Sequence, residues 1–370
     1  MRVLFALPGL HRVRRGAEIV LESVAQEIAL EGEHEVTLIG SGTPLPDRAY
    51  RFRRVPAVPR IRFEHWPQLP FLRNAYMYEE LTFAAGLMTT SWRTDADITM
   101  TCGYPYTNWV LRSSLPKQGR PAHVFVTQNG DWPAHQRGWE SRFFSCDGLV
   151  CTNPLYFERN RRRWFSTLIP NGIAPERFRP GPGNRTLLGF PENRPIVLMV
   201  SALEQGKRVI EAIKAVSAIP DAFLVVAGDG NLRKEVERLA GDLLPGRFLL
   251  RTYPHEQMPE LYRSADVFLH TAIRESFGNV YIEALSSGTA IVAHDDEVTR
   301  WILEDHARLV DTTSEQALVD AITDALHEPG THLSDGSAFA HDRYSWRAVA
   351  RRYREFFAEV IQRHERFHAT

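Results

Sequence analysis

Two glutamates eight positions apart, Glu275 and Glu283, frame the stretch HTAIRESFGNVYIEALSSGTAIVA at 270–293. The run VFLHTA ends a β-branched, apolar segment, and Glu275, Ser276, Phe277 and Gly278 read as a turn whose glycine lets the backbone bend or approach something closely. Asn279 to Ser287 reads as a short helix closed by Gly288, after which TAIVA resumes a buried strand. The first turn of that helix, with Asn279 and Val280, presents backbone N–H groups beside Glu275, an arrangement that suits an anion or sugar hydroxyls. Glu283 follows two turns later, at most ~12 Å away along the axis. Two acceptors so placed can hold both ends of one extended ligand, such as the sugar and the ribose of a nucleotide sugar. Taken alone, an E-x7-E pair is more often solvated surface.

Other residues supply complementary chemistry. In VSALEQGKRVIEAIKAV, Lys207 stands after a strand and at the start of a helix, where a cation adds to the helix dipole in neutralising a diphosphate. LVVAGDGNLRKEVERLA is a strand, a Gly-Asp-Gly turn and a helix, with Gly228 and Gly230 permitting close backbone approach; by itself G-x-G is an ordinary turn. LHRVRRGAEIVL places Arg15 and Gly16 at the entry to the first helix, with Glu18 as a first-turn acid favoured by the dipole. HVFVTQNGDWPAH ends a strand on Gln128 and Asn129. Asp295, Asp296 and Glu297 could hold Mg²⁺, but such clusters are common on solvated loops, so no metal is expected. The arginines of ERNRRRW at 158–164 either meet anionic lipid or line a solvated helix face, the second being the plainer reading.

Positioning such residues requires a large scaffold. A chain of 370 residues exceeds one ordinary core, and repeated strand–helix–strand signals imply parallel sheets covered by helices. Strand signals fall at 2–7, 35–40, 98–101, 123–128, 148–152 and 167–170, and 17–31 reads as an amphipathic helix. The proline- and aromatic-rich stretch 44–75 has weak periodicity. Turn residues cluster at Pro170-Asn171-Gly172 and again at 180–184, marking a boundary. The pattern then restarts with PIVLMVSA, AFLVVAGDG, RFLLRTY, DVFLHTA, TAIVAHD and ARLVD, and a long amphipathic helix covers about 344–364. The expected fold is α/β, two doubly wound Rossmann-like domains facing a central cleft. The first comprises 1–170 with helix 345–370 packed back on it, and the second 171–344. Each motif sits at a strand's carboxyl end, where such folds bind ligands.

A formal net charge of −1 gives no general attraction to nucleic acid, and Cys102, Cys146 and Cys151 have no metal-ligand spacing. The apolar start is broken by Pro8 and followed, not preceded, by basic residues, unlike a signal peptide. A cytoplasmic protein is expected, with peripheral contact at the inner membrane face as the membrane alternative.

Together these segments resemble the retaining GT-B glycosyltransferases of family 4 (glycosyltransferase group 1), in which E-x-F-G-x-x-x-x-E precedes A-x-x-x-G-T-x-V-V. The resemblance implies that Glu275 contacts the donor sugar beside Phe277 and Gly278, that Glu283 binds the ribose, and that Lys207 binds the donor phosphates. It adds Gly228, Gly230 and Tyr253 around the nucleotide, Gly16 near the phosphates, and Asn129 (or Gln128, after a one-residue shift) where relatives carry a histidine. IPNGIAPERF at 169–178 resembles the family's interdomain turn, anchored by Phe178. Many relatives have an arginine where Ala202 stands, leaving Arg15, Arg208 or Arg274 to supply that charge. The implied reaction moves a sugar from a UDP or GDP donor to an acceptor hydroxyl on a sugar or lipid, with retention, the nucleotide sugar being co-substrate and no cofactor being needed. The acceptor is left to the first half, where GYPYTNW at 103–109 and the aromatic 61–78 region either stack on it or pack internally. A nucleotide-sugar 2-epimerase and a non-catalytic sugar-binding relative are the rivals; the first needs acid–base groups around the sugar that the sequence does not display.

Overall fold

The computed structural model describes residues 1–91, 95–113, 120–327 and 333–368. Two compact units emerge, Met1–Asn171 with Trp346–Thr370, and Gly172–Ser345.

The first unit is built on seven parallel strands: β1 (Arg2–Ala6), β2 (Glu35–Gly40), β3 (Arg51–Arg54), β4 (Ile98–Thr101), β5 (Ala122–Val126), β6 (Gly148–Cys151) and β7 (Ser166–Leu168). They lie in the order β3-β2-β1-β4-β5-β6-β7. Side-chain alternation along β1 sends Val3 and Phe5 to one core and Leu4 and Ala6 to the other, so both faces need cover. Helices Gly16–Leu30 and Trp346–His368 cover the first face, with Phe5 edge-on to Phe357 at 6.2 Å. The terminal helix lies so close to β6 that a Cβ on Gly148 would come 2.6 Å from the Val360 side chain. Helix Ala75–Met88 covers the other face through Phe83, Ala84 and Leu87.

The second unit repeats the plan with β8 (Ile196–Val200), β9 (Phe223–Ala227), β10 (Phe248–Arg251), β11 (Val267–His270), β12 (Ala290–His294) and β13 (Arg308–Val310). Their order is β10-β9-β8-β11-β12-β13, again all parallel. Ile196 and Leu198 enter one core and Val197 and Met199 the other. Both units are doubly wound, and each has a switch point, β1 beside β4 and β8 beside β11.

The structure departs from the sequence reading at particular places. β3 lies within the stretch of weak periodicity: RFRR is charged and mostly exposed because it forms the sheet edge, paired only with β2. The long terminal helix begins at Trp346, not 344, and runs to His368. The helix expected over 17–31 is Gly16–Leu30, and the one opening at Asn279 ends at Ser286. Lys207 closes a 3₁₀ turn, Gln205–Lys207, and the helix itself begins only at Val209.

Candidate active site

In the second unit, the loops after β8 and β11 flank the switch point. Lys207 comes from the first and Glu275 from the second, and their side chains form an ion pair across 68 residues of sequence. The pair is partly exposed, with 27% of the lysine and 15% of the glutamate side chain reaching solvent. The Ser276 N–H donates to Glu275 Oε1 at 3.2 Å. Gly278, at φ +73°, caps the helix Asn279–Ser286 without any side-chain bond. A Cβ on Gly278 would meet the Tyr281 ring at 2.6 Å and Glu275 Cγ at 2.9 Å, so glycine is required both for the left-handed backbone and for the space. Phe277 is buried in the core beneath this turn, 6.2 Å from the Trp301 ring and 6.3 Å from that of Tyr344.

His270, the last residue of β11, was not singled out in the sequence. Its Nε2 lies 3.6 Å from Glu275 Oε2, while Nδ1 accepts from the Ala272 N–H at 3.3 Å. That contact leaves the proton of the neutral ring on Nε2, facing the carboxylate. Burial pulls the His270 pKa down to about 4, against the opposing pull of Glu275, so the ring is neutral at physiological pH. The signal for it was a polar side chain ending the apolar strand VFLH.

The lysine loop is fixed from below. Thr271 Oγ1 lies 3.0 Å from the Lys207 carbonyl and 2.9 Å from that of Arg208, and Thr312 Oγ1 donates to the Thr271 carbonyl at 3.2 Å. Arg208 takes a left-handed backbone at φ +56°, and its guanidinium donates to the Thr312 carbonyl at 3.2 Å and faces Glu211 at 3.5 Å. Arg274 and Ala202 are exposed.

Glu283 sits on the same helix, partly buried, and accepts from the Tyr262 hydroxyl at 2.8 Å. Burial raises the Glu283 pKa, opposed by that hydrogen bond and by the charge of Arg177. Tyr262 is a second residue missed in the sequence, 21 positions away on another helix. Phe178 is buried 6.2 Å from the Tyr262 ring, packed against the residue that orients Glu283. Tyr253 follows β10, with Arg251 over its ring at 5.9 Å; its hydroxyl is buried without a hydrogen-bond partner.

Gly228 and Gly230 have a packing role that the sequence did not disclose. A Cβ on Gly228 would lie 1.8 Å from the Ser201 carbonyl, and one on Gly230 2.5 Å from that of Leu203. The close approach these glycines permit is to the protein's own loop after β8, which carries Lys207 further on.

Two of the three acids after β12 are engaged within the fold. Asp296 caps helix Glu297–Leu303 in a reciprocal capping box with Thr299, and Asp295 pairs with Arg300. Among the described residues no group of three His, Cys, Asp or Glu side chains is arranged to hold a metal ion.

In the first unit, Arg15 precedes helix Gly16–Leu30 and lies 3.9 Å from Glu18. Glu18 is itself buried, where desolvation raises its pKa. Asn129, exposed after β5, reaches the Cys102 carbonyl at 3.5 Å, and Gln128 donates to Asn171 at 2.6 Å. Three of the arginines in 158–164 have partners: Arg159 with Asp131, Arg161 with Glu158, and Arg163 with the Ala134 carbonyl. A cavity of about 240 Å³ lined by Cys146, Asp147, Trp164 and His364 lies at the starts of β6 and β7, the opposite end of the sheet from the motif loops.

Residues 184–338 match the family model for glycosyl transferases, group 1. That match lies within the second unit. The chain is 24% identical over 292 residues to the lipopolysaccharide core biosynthesis glycosyltransferase LpsE of Rhizobium meliloti, covering 78% of each. It is 28% identical over 212 residues to the GDP-mannose-dependent α-(1-6)-phosphatidylinositol monomannoside mannosyltransferase of Mycolicibacterium smegmatis, spanning 51% of this chain and just over half, 55%, of that relative. In fold it matches Anabaena HepE, solved with UDP-glucose, at a TM-score of 0.74 and 16% identity over 97% of this chain and 100% of that one. The chain has two parallel-sheet Rossmann-like domains, as GT-B structures do.

Proposed function

We propose that this chain is a retaining GT-B glycosyltransferase of family 4 (group 1), moving a sugar from a UDP or GDP donor to an acceptor hydroxyl in the synthesis of a glycolipid, polysaccharide or other glycoconjugate. The observation that carries the reading is the Lys207–Glu275 pair at the second unit's switch point, beside a helix start without a side-chain cap. An ammonium has three donors. One holds Glu275, and the others serve the departing diphosphate, whose charge grows as the sugar–phosphate bond breaks. Glu275, kept in place by Lys207 and the Ser276 amide, accepts from the donor sugar's hydroxyls, with the Gly278, Asn279 and Val280 backbone beside it. Glu283, oriented by Tyr262, accepts from the ribose, and Tyr253 and the Gly228–Gly230 turn border the nucleotide. Arg15, Gly16 and Asn129 are assigned to the first unit's share of the substrate contacts.

Retention is assigned to a front-face route in which the leaving phosphate takes the acceptor proton. His270 is neutral and faces Glu275, a positioning contact that leaves the carboxylate available to the sugar. The relatives' names support this reading: LpsE is a glycosyltransferase, the mycobacterial relative uses GDP-mannose, and HepE was solved with UDP-glucose.

The deciding experiment incubates the protein with UDP- and GDP-sugars, with and without glycolipid or oligosaccharide acceptors, and follows free nucleotide and the product anomer. Acceptor-dependent release with a retained anomer is the expected result. Epimerised sugar formed without acceptor identifies the 2-epimerase class, and tight binding without turnover identifies a non-catalytic relative.

A further inference from the structure

The loop that carries Lys207 has little regularity of its own. Three residues of 3₁₀ turn, Gln205–Lys207, are followed by Arg208 in the left-handed region at φ +56°, a conformation unfavourable to a residue with a side chain. Helix Val209–Ser217 begins only after it. Such a backbone keeps one shape when contacts from outside the loop impose it. The ammonium, moreover, stands at the end of a flexible four-carbon stem. Placing that charge reproducibly therefore depends on what fixes residues 207 and 208.

Thr271 supplies the contact. It belongs to the loop after β11, four positions before Glu275, and is fully buried. Its Oγ1 lies 3.0 Å from the Lys207 carbonyl and 2.9 Å from that of Arg208. Both are acceptors, so the hydroxyl donates to the lysine loop, its single proton shared between them. The two loops are thus joined twice, by Lys207 and Glu275 where solvent reaches and by Thr271 beneath.

Thr271 is itself held. Thr312, after β13, donates from Oγ1 to the Thr271 carbonyl at 3.2 Å and from its N–H to His294 Nδ1 at 3.2 Å. Its own carbonyl accepts from the Arg208 guanidinium at 3.2 Å. The carboxyl ends of β8, β11, β12 and β13 therefore meet in one hydrogen-bonded network, with both carbonyls of the lysine loop at its centre. An aliphatic side chain of the same shape at 271 would leave those carbonyls without this donor and the loop without its tie to Glu275.

We propose that Thr271 is a positioning residue for Lys207: through the Lys207 and Arg208 carbonyls its hydroxyl sets the loop so that the ammonium meets Glu275 and the departing diphosphate. This deepens the transferase reading and rests on it for the diphosphate, while the contact with Glu275 is measured without any nucleotide.

The test is zero-length cross-linking of the full chain with a water-soluble carbodiimide, which joins a carboxylate and an amine in direct contact as an amide. The chain holds four lysines, Lys117, Lys207, Lys214 and Lys234, so a Lys207–Glu275 product is readily assigned by peptide mass spectrometry. The wild type should form it and Glu275→Gln should abolish it. Thr271→Val, close in shape but without the hydroxyl, should cut the yield roughly fivefold, the scale of one lost hydrogen bond. Thr271→Ser, which keeps the donor, should stay near the wild-type yield. Thr312→Val should lower it less, and carries the test if thermal melts show Thr271→Val unfolded. In sugar transfer, kcat should fall roughly tenfold in Thr271→Val, as for a misplaced charged group, and recover in Thr271→Ser. In a Lys207→Ala background the valine change should add little, because it acts through the lysine. Wild-type yield in the folded valine variants overturns the proposal, as does a kcat loss that persists undiminished in the Lys207→Ala background. A wild type that transfers no sugar, with the yield still lost in Thr271→Val, removes the transferase reading and keeps the role of Thr271 in the pair.

Discussion

The two units share the order of their first six strands yet place opposite things at their switch points. In the second, the loops after β8 and β11 hold Lys207 and Glu275 as a pair that reaches solvent. In the first, helix Ala75–Met88 turns Glu79 and Glu80 inward, where they are joined by Glu18 as buried carboxyls. Glu79 is matched by Arg12 and by the Arg60 guanidinium at 3.3 Å, while Glu80 has no cationic partner among the described residues and accepts from the Thr107 N–H at 3.0 Å on Oε1. Glycines follow the same division. Gly9 and Gly103 lie directly on Glu18 and Glu80, whereas Gly228 and Gly230 let one loop rest on the next. The same order around the switch point thus hosts an accessible ion pair in one unit and sequestered acids in the other, so the sheet alone does not assign function.

The sharpest way to break that contrast is to remove the accessible pair. Lys207→Ala and Glu275→Gln should each reduce turnover by about 10²–10³, the scale for losing a group aimed at developing charge. Lys207→Ala should also weaken free UDP or GDP binding, whereas Glu275→Gln should leave it nearly unchanged. Steady-state kinetics with calorimetry of the free nucleotide separates these outcomes, and equal nucleotide losses in both variants would refute the division of roles.

The sequestered side predicts a pH signature. Burial raises the Glu80 pKa from 4.5 to about 8, opposed by the hydrogen bonds to Thr107. The folded chain therefore keeps a proton that the unfolded chain releases near pH 4.5. The stability tied to that proton is complete below pH 4.5, declines as pH rises to about 8, and is then gone. Glu80→Gln removes the titration while keeping an acceptor for the Thr107 amide. Relative to wild type, the variant should gain on the order of a few kcal/mol between pH 5 and pH 8. Seven of the eight tryptophans belong to the first unit, so fluorescence-detected urea unfolding at both pH values reports the relevant transition.

What the sequence discloses follows the same division between local and distant. The strands VFLH and AIVAH are legible because buried β-branched runs bounded by turn residues have few alternatives. The edge strand RFRR is not, since its exposure erases the apolar signal. The Glu275 turn is visible through Gly278, but its contact with Lys207 spans 68 residues and exists only once β8 and β11 are neighbours. Tyr262 against Glu283 is equally non-local. The buried acids of the first unit run against composition, because glutamate is rarely fully buried, and nothing in YEEL marks both carboxylates as inward-facing.

A smaller effect sharpens the second unit's site. Glu283→Gln should weaken free nucleotide binding by about 1–3 kcal/mol, the range for a charge-assisted hydrogen bond. Tyr262→Phe removes only the hydroxyl that orients Glu283, and should cost about 0.5–1.5 kcal/mol of the same affinity. In the Glu283→Gln background the tyrosine change should add little, because partners in one network are not additive. Full additivity in calorimetric titrations would show that Tyr262 acts on the nucleotide by another route.

The smallest expected effect is that of removing divalent metal. A diphosphate leaving group needs positive charge, and a metal would have to be held by acids near the Lys207 loop. The nearest clustered candidates by sequence, Asp295 and Asp296, are already committed, one to Arg300 and the other to the capping box with Thr299. Freeing Asp296 for a metal would forfeit a helix cap worth about 1 kcal/mol. Lys207, together with the helix start at Gly278, offers the compensating charge without that loss. Turnover in excess EDTA should therefore stay near its untreated value, and Asp295→Asn should change it little. Complete loss in EDTA, restored by Mg²⁺ or Mn²⁺ and abolished by Asp295→Asn, would make the acidic loop part of the site and place the charge needed for the leaving group outside the lysine loop.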